Sequence, residues 1–381
     1  MLSVQSFYEC CTRQGIDFYA GVPDSLLQDF CAYLVDHAPA GRHVIAANEG
    51  GAVGLAAGHF LATGNPAVVY LQNSGQGNLL NPVLSLADAE VYGLPLLLLV
   101  GWRGQPGEQD EPQHVKQGRV MLDLFKAMEM PCEILAAEED EAHRQVEKMV
   151  ALARRRKCPV ALVVRKGTFE KYRMKTALAN RYSLIREQVI GRMVGRLPEQ
   201  AAVVGTTGHI SRELYEYHAA HGGFSGMDFL TVGSMGHASQ IALGIALAQP
   251  ERPVYCLDGD GAALMHMGGM AIIGKSGCRN IRHIVLNNGA HGSVGGQHTA
   301  AFGISLAKIA EACGYVFARS VHSAEELESA LTAMAQASGP AFLEVRVSGQ
   351  VRADLGRPRS SPAENRDSFM AFLRAPPRPG R

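Results

Sequence analysis

The chain has no surplus of charge of either sign, since 36 basic residues balance 36 acidic ones. A nucleic-acid groove or an anionic membrane surface would draw on a basic excess, so neither is expected as a partner. The densest basic run, Arg154 to Lys157, is expected at a helix C-terminus, where cations oppose the helix dipole. No apolar run approaches the roughly 20 residues of a membrane span. The opening MLSVQSFYECCTRQG lacks the apolar core of a secretory signal. Eight cysteines occur without a C-x-x-C pair, and Cys31, Cys256 and Cys313 lie in apolar segments, as small buried hydrophobes do. Reduced thiols and a cytoplasmic location are the expectation. No sequence repeat is obvious.

What is present is a globular balance, 47% hydrophobic and 19% charged over 381 residues, enough for two domains with their own cores. Short apolar runs alternate with helical patterns. In the first half strands are expected at 17–20, 44–47, 66–71, 94–100 and 160–164. Helices are expected at 4–13, 26–36 (capped by Asp24 or Ser25), 52–64 and 82–90. The pattern dissolves after 167 into polar residues, and a second series follows: helices at 185–196, 237–248, 264–276 and 305–312, strands at 202–205, 229–232, 254–257, 283–286 and 341–347. A short helix near 364–373 interrupts an Arg- and Pro-rich tail. Such alternation argues α/β architecture with two doubly wound parallel sheets, divided as 1–170, a linker 171–184, and 185–381.

The densest chemistry lies in PVYCLDGDGAALMHMGGMAIIGKSGCRNIRHIVLNNGAHGS, residues 253–293. Two apolar runs joined by a helical crossover read as a βαβ unit with parallel strands. Asp258-Gly259-Asp260-Gly261 and Asn287-Asn288-Gly289 then fall at neighbouring strand ends, where open α/β sheets bind ligands. An acid and an amide side by side suit a hard cation such as Mg²⁺. An EF-hand would need an acid where Gly269 stands, and a dinucleotide motif would need glycine in place of Leu264. A plain Gly/Asp/Asn turn is the ordinary reading of either cluster alone.

Gly259-Asp260-Gly261, twenty-five residues and then Asn287-Asn288 resemble the motif of the thiamin-diphosphate-dependent decarboxylase superfamily. The resemblance implies that Asp260, Asn288 and the carbonyl of Ala290 hold Mg²⁺ against the cofactor's diphosphate, with Gly259, Gly261, Ala262 and Gly292 lining it. It implies the superfamily's paired domains, one for the pyrimidine and one for the diphosphate. Fewer than about twenty residues separate the halves, so the superfamily's middle domain is expected to be missing. Glu49, in the apolar context NEGGAVGLAAG, matches the superfamily's catalytic glutamate. A dry pocket suits a carboxyl that exchanges a proton with the pyrimidine. By itself it would be a first-turn helix acid. Gly233-Ser234-Met235-Gly236 resembles the segment that bends the cofactor, with the Gly233 carbonyl facing its amine and Met235 beneath its rings. In that superfamily the two halves of a site come from different subunits, which implies a homodimer or higher homo-oligomer with interfacial sites.

Further stretches, GVPDSLL (21–27), QNSGQGN (72–78), GWRGQPGEQDEPQHVKQG (101–118), RKGTF (165–169) and DLGRPRSSPAENRDSFM (354–370), resemble the phosphonopyruvate decarboxylase branch. The implied reaction converts 3-phosphonopyruvate to phosphonoacetaldehyde and CO₂ in phosphonate biosynthesis. Guanidinium forks, helix starts and hydroxyls hold a phosphonate best. Ser25, Asn73, Ser74, Arg103 and His291 are the candidate substrate ligands, with His114, Lys116 and the tail arginines Arg352, Arg357 and Arg359 as further cations. Asp24 stands where the superfamily's decarboxylases often carry a proton-handling acid, and His114 is a second candidate. A solvated loop or cap role is open for each. Sulfopyruvate decarboxylation, an acetolactate-synthase-type carboligation and a non-catalytic cofactor-binding relic are the alternatives.

Overall fold

Runs such as Leu96–Gly101 and Val160–Val164 have no polar face, so they form strands only where both sides are covered. A computed structural model describes residues 1–176, 179–221 and 226–375 of the chain. Residues 177–178 of the expected linker and 376–381 of the tail lie outside the described residues. The chain forms two compact units: Met1–Leu178 with His291–His298, and Ala179–Ala290 with Thr299–Arg381.

The first unit holds strands β1 (Tyr19–Gly21), β2 (His43–Ile45), β3 (Ala67–Gln72), β4 (Leu96–Gly101), β5 (Cys132–Ile134) and β6 (Val160–Val164). All pair in parallel, in the order β2-β1-β3-β4-β6-β5. Alternate residues feed two cores. Tyr19, Val68, Tyr70, Leu97, Leu99 and Leu162 face one layer of helices, while Ala20, Val69, Leu71, Leu98, Val100 and Val163 face the other.

The second unit holds β7 (Ala202–Gly205), β8 (Asp228–Leu230), β9 (Val254–Gly259), β10 (Ile281–Asn287), β11 (Phe317–Val321) and β12 (Ala341–Arg346), again all parallel. Their order, β11-β12-β10-β9-β7-β8, read from the other edge is the first unit's order with every strand number raised by six. The two halves therefore repeat one topology without repeating a sequence. Both are doubly wound parallel α/β sheets, and no middle domain separates them. No helix among the described residues is long and apolar enough to cross a membrane.

Several local expectations need correction. The helix expected at 82–90 lies instead over Gln76–Pro82 and continues as one π turn, Val83–Ala87, because Pro82 has no N–H to extend the α pattern. The helix expected at 264–276 is two, Asp260–Met265 and Gly268–Lys275, broken at His266 and Met267. Helix Gln28–His37 begins at Leu27 without a side-chain cap, so neither Asp24 nor Ser25 caps it. Helices Pro112–Ala127, Glu139–Arg156, His209–Ala220 and Ala324–Ala335 and strands β5 and β11 complete the pattern. The basic run does close a helix: Arg154 to Arg156 form the last turn of Glu139–Arg156, and Lys157 takes the left-handed conformation at its end. Residues 168–172 are not free either. Phe169 pairs with Leu2, and the Tyr172 amide donates to Asp29 at 3.0 Å.

The loop after β4 closes onto helix Pro112–Ala127 through two glycines. A Cβ on Gly104 (φ +68°) would lie 1.9 Å from the His114 carbonyl oxygen, and one on Gly118 would lie 1.8 Å from that of Gly104. Trp102 completes the joint, its indole N–H donating to the Gly118 carbonyl at 2.8 Å. Backbone cannot retreat as a flexible side chain can. Gly118→Ala is therefore expected to cost on the order of 3 kcal/mol, read as a lowered denaturation midpoint by circular dichroism. A midpoint within experimental error of the parent would contradict this packing.

Candidate active site

In each sheet the chain places its second strand on one side of the first and its third on the other. The loops after the first and third strands diverge there, leaving the crevice where such sheets bind ligands. In the first unit those loops are 22–27, after β1, and 73–78, after β3; in the second they are 206–209, after β7, and the Gly259 turn, after β9. Asp24, Ser25, Asn73 and Ser74 lie in the first unit's loops and Asp260 follows the Gly259 turn, while Glu49, Arg103, Met235 and Asn288 follow β2, β4, β8 and β10.

Glu49 is the first residue of helix Glu49–Thr63, N-capped by Asn48, whose side chain accepts the Gly51 N–H at 2.8 Å. It is thus a first-turn acid, and it is also buried, 4% exposed. Asn78 donates to its Oε2 at 2.7 Å, yet burial outweighs that bond and raises the carboxyl above the ordinary range. Gly75 makes the room, for a Cβ there would lie 2.2 Å from Glu49 Oε1.

Asp24 follows β1 and is fully buried. Its Oδ1 accepts from Gln72 Nε2 at 2.6 Å and its Oδ2 from the Leu26 amide at 3.0 Å. Burial still raises its pKa, against those bonds and the charge of Arg103. Arg103 is held on two sides. Its Nε donates to Asp110 Oδ2 at 2.8 Å, its Nη2 donates to Asp110 Oδ1, and its Nη1 donates to Ser25 Oγ at 2.8 Å. Asp110 also accepts the Gly104 and Glu111 amides. Against the cost of burial, the Arg103 and amide bonds hold its carboxyl well below the usual range. Asn73 spends both ends of its amide on Arg103's backbone, donating to the carbonyl at 2.8 Å and accepting the N–H at 3.1 Å. Ser74 is exposed and donates to Gln72 Oε1 at 2.7 Å. His114 is 8% exposed with Nδ1 lacking a partner among the described residues, and burial, helped by the charge of Arg103, pushes it down to about 4. It is a neutral imidazole at pH 7. Gln76 Oε1 is likewise buried and unpartnered.

In the second unit β9 and β10 are neighbours, with Leu286 opposite Gly259, so Asp260 and Asn288 leave the sheet side by side. Asp260 is 3% exposed and begins helix Asp260–Met265, and its Oδ2 accepts the Thr299 hydroxyl. Burial raises it to about 6, against bonds from Thr299 and from backbone amides including that of Asn288. Asn288 Oδ1 accepts the Ala290 amide at 3.1 Å, and its carbonyl takes the Asn180 side chain at 3.2 Å. Gly289 (φ +71°) lies against Phe302, whose ring a Cβ would meet at 2.5 Å. Beneath the turn, Asp258 accepts the Gly259 amide and pairs with His283, which also contacts Tyr315. In the segment 233–236, Ser234 has φ +52° and Gly236 φ +86°, and a Cβ on Gly236 would lie 2.7 Å from the His266 ring. Met235 is half-buried.

His291 and Gly292 open a loop grouped with the first unit, in which the His291 amide donates to the Gln297 carbonyl at 2.8 Å. Burial pushes the His291 ring down to about 4. Gln297 in the same loop is fully buried with neither end of its side-chain amide partnered among the described residues. The donor set fits a diphosphate bound through a hard cation: a desolvated carboxylate, an amide and a short helix start, with oxygen ligands throughout. A cation would relieve the burial cost that Asp260 carries.

Sequence reasoning missed Gln72, Gln76, Asn78, Asp110, Gln297 and Thr299. Gln72, Gln76, Asn78 and Asp110 lie inside stretches that carry the resemblance, but their contacts depend on which strands adjoin. Thr299 is 39 residues from Asp260 and has no local signal.

Residues 2–127 match the family described as thiamine pyrophosphate enzyme, N-terminal TPP binding domain, and residues 206–345 its C-terminal TPP binding domain. The chain is 35% identical over 381 residues to a phosphonopyruvate decarboxylase of Streptomyces viridochromogenes, covering 96% of this chain and 94% of that one. It is 34% identical over 394 residues to a phosphonopyruvate decarboxylase of Streptomyces hygroscopicus, covering 99% and 95%. A sulfopyruvate decarboxylase of Methanosarcina acetivorans is 28% identical over 340 residues, covering 83% and 84%. With both cofactor domains matched and full-length relatives of this identity, the chain belongs to the phosphonopyruvate decarboxylase family, carboxy-lyases that work with thiamin diphosphate.

Proposed function

We propose that the protein decarboxylates 3-phosphonopyruvate to phosphonoacetaldehyde and CO₂, as a step of phosphonate biosynthesis, using thiamin diphosphate and Mg²⁺. The observation that carries the substrate reading is Arg103, clamped by Asp110 and joined to Ser25 in the crevice of the first sheet. Three of its five N–H donors are engaged, which leaves two to meet an oxyanion.

Thiamin diphosphate, when bound, supplies the electron sink that a 2-oxo acid needs in order to lose CO₂. In this reading residues 1–170 serve its pyrimidine and 185–381 its diphosphate, with 171–184 between. Asp260, Asn288 and the Ala290 carbonyl hold Mg²⁺, and Gly259, Gly261, Ala262 and Gly292 leave room for phosphate oxygens. The Gly233 carbonyl accepts from the 4′-amine, and Met235, which follows the left-handed Ser234, supports the rings. Glu49, desolvated and so readily protonated, holds and exchanges a proton at the pyrimidine nitrogen N1′. Arg103 and Ser25 bind the phosphonate, and Asn73 acts on Arg103's backbone. Asp24 moves a proton at the substrate-derived carbon. His114 and His291, both neutral at pH 7, offer further polar edges to the substrate.

A homodimer or higher homo-oligomer is part of the proposal. Helices Glu49–Thr63 and Ala238–Ala248, which follow the second strand of each sheet, are apolar yet leave Leu61 70% and Leu247 57% exposed. Apolar faces of this kind on small-residue helices suit burial against a second copy.

Glu49→Gln is expected to keep cofactor binding by calorimetry and to lose at least about 100-fold in kcat, whereas Asp260→Ala should weaken Mg²⁺-dependent cofactor binding. Near-parental turnover of the glutamine variant would remove Glu49 from the chemistry. With cofactor and Mg²⁺, CO₂ release should be much faster from phosphonopyruvate than from sulfopyruvate or pyruvate. Arg103→Lys, which loses the fork, should raise KM for phosphonopyruvate about 10- to 100-fold and leave pyruvate little changed. Preference for sulfopyruvate would transfer the assignment to the sulfonate reaction, and acetolactate-type products would transfer it to a carboligase. Sedimentation should give at least a dimer, weakened by Leu61→Glu. A monomeric active enzyme would contradict the assembly.

A further inference from the structure

Asp24 is fully buried, so the orientation of its two carboxylate oxygens is set by the groups that donate to them. One oxygen is served locally by the Leu26 amide at 3.0 Å. The other is served by Gln72, the last residue of β3, at 2.6 Å. A glutamine can present either end of its amide, and its oxygen against a carboxylate would repel. The carboxylate therefore selects the Nε2 end, and Ser74 holds the other. Its exposed hydroxyl donates to Gln72 Oε1 at 2.7 Å and leaves Nε2 for Asp24. Gly101 walls the other side, since a Cβ there would lie 2.0 Å from Asp24 Oδ2. The charged or titratable groups facing Asp24 are Arg103, from the loop after β4, and Cys31, from helix Gln28–His37. Gln72 and Gly101 are uncharged, so Gln72 acts by bonding alone.

We propose that Gln72, its far amide end bonded by Ser74, is a positioning residue of the decarboxylase: it aims and holds the carboxyl of Asp24. This rests on the reading that Asp24 handles the proton at the substrate-derived carbon. The chain Ser74–Gln72–Asp24 orients but does not conduct, because a carboxamide relays a proton only by tautomerising. Both Asp24 oxygens accept from N–H donors, which favours the ionised form against the burial that opposes it.

The sign follows directly. Loss of the Gln72 bond raises the pKa of Asp24 further, so any limb of the rate profile governed by Asp24 moves to higher pH. In Gln72→Leu, carbon-13 NMR of aspartate-labelled protein, with the Asp24 signal assigned through Asp24→Asn, should show its titration raised by about one to two pH units. Ser74→Ala, a mild change at an exposed position, should shift it the same way by less, which covers a Gln72 variant that fails to fold. The kcat/KM profile should move by the same interval, and Gln72→Glu should not restore it, since a second carboxylate repels the first. An Asp24 titration unchanged in both Gln72→Leu and Ser74→Ala would overturn the proposal, as would a uniform fall in rate with the profile in place. A shifted titration beside a profile that also stays put in Asp24→Asn would fault the role of Asp24 instead.

Discussion

Parallel pairing is the constraint from which the site follows. Among the described residues all twelve strands run parallel within their two sheets, so each sheet gathers its carboxyl-end loops at one end of its strands. Asp24 follows one such strand, Asp260 begins the helix directly after another, and Glu49 begins the helix after a third. The same ladders bury both faces, which denies these carboxyls the water that exposed acids enjoy. Their protonation is then governed by a few donors: Gln72 and Leu26 for Asp24, Asn78 for Glu49, Thr299 and backbone amides for Asp260. In the proposed reading, proton chemistry and cation binding would both draw on that desolvation, one through acids that are easily protonated and the other through a carboxylate whose charge is costly to bury.

Glycine supplies the remaining freedom. Gly75 and Gly101 stand where a methyl group would strike Glu49 or Asp24, and Gly104 and Gly118 where it would strike backbone. Each lets a polar group sit closer to a strand end than any side chain would permit. The left-handed turns at Ser234 and Gly236 and at Gly289 do similar service in the second unit. The sites are thus formed as much by omitted atoms as by reactive ones.

The fold was legible where apolar runs were long and unbroken. Helix Val4–Arg13 and strands β6 and β7 fall where periodicity puts them, and the motif strands β9 and β10 were found by their polar ends. Helix Ala324–Ala335 was missed although Ser323 and Glu326 form a capping box, a signal that was in plain view. Strand β11 alternates apolar and polar residues over a half-exposed edge, and β5 is three residues long, so neither stands out. Glu49 was readable as either a first-turn acid or a buried one, and it is both. The partners of the reactive groups were hidden for a different reason. Asp110 reaches back seven residues to Arg103, and Gln72 reaches 48 to Asp24, by a register no local pattern encodes.

Trp102, the only tryptophan in the chain, sits next to Arg103 with its indole bound to the Gly118 carbonyl. The molecule thereby carries its own optical label at the junction between β4 and the loop that bears Arg103. A change in the packing of that loop would alter the polarity around a single indole, so the emission wavelength of the chain's one tryptophan reports on that junction alone.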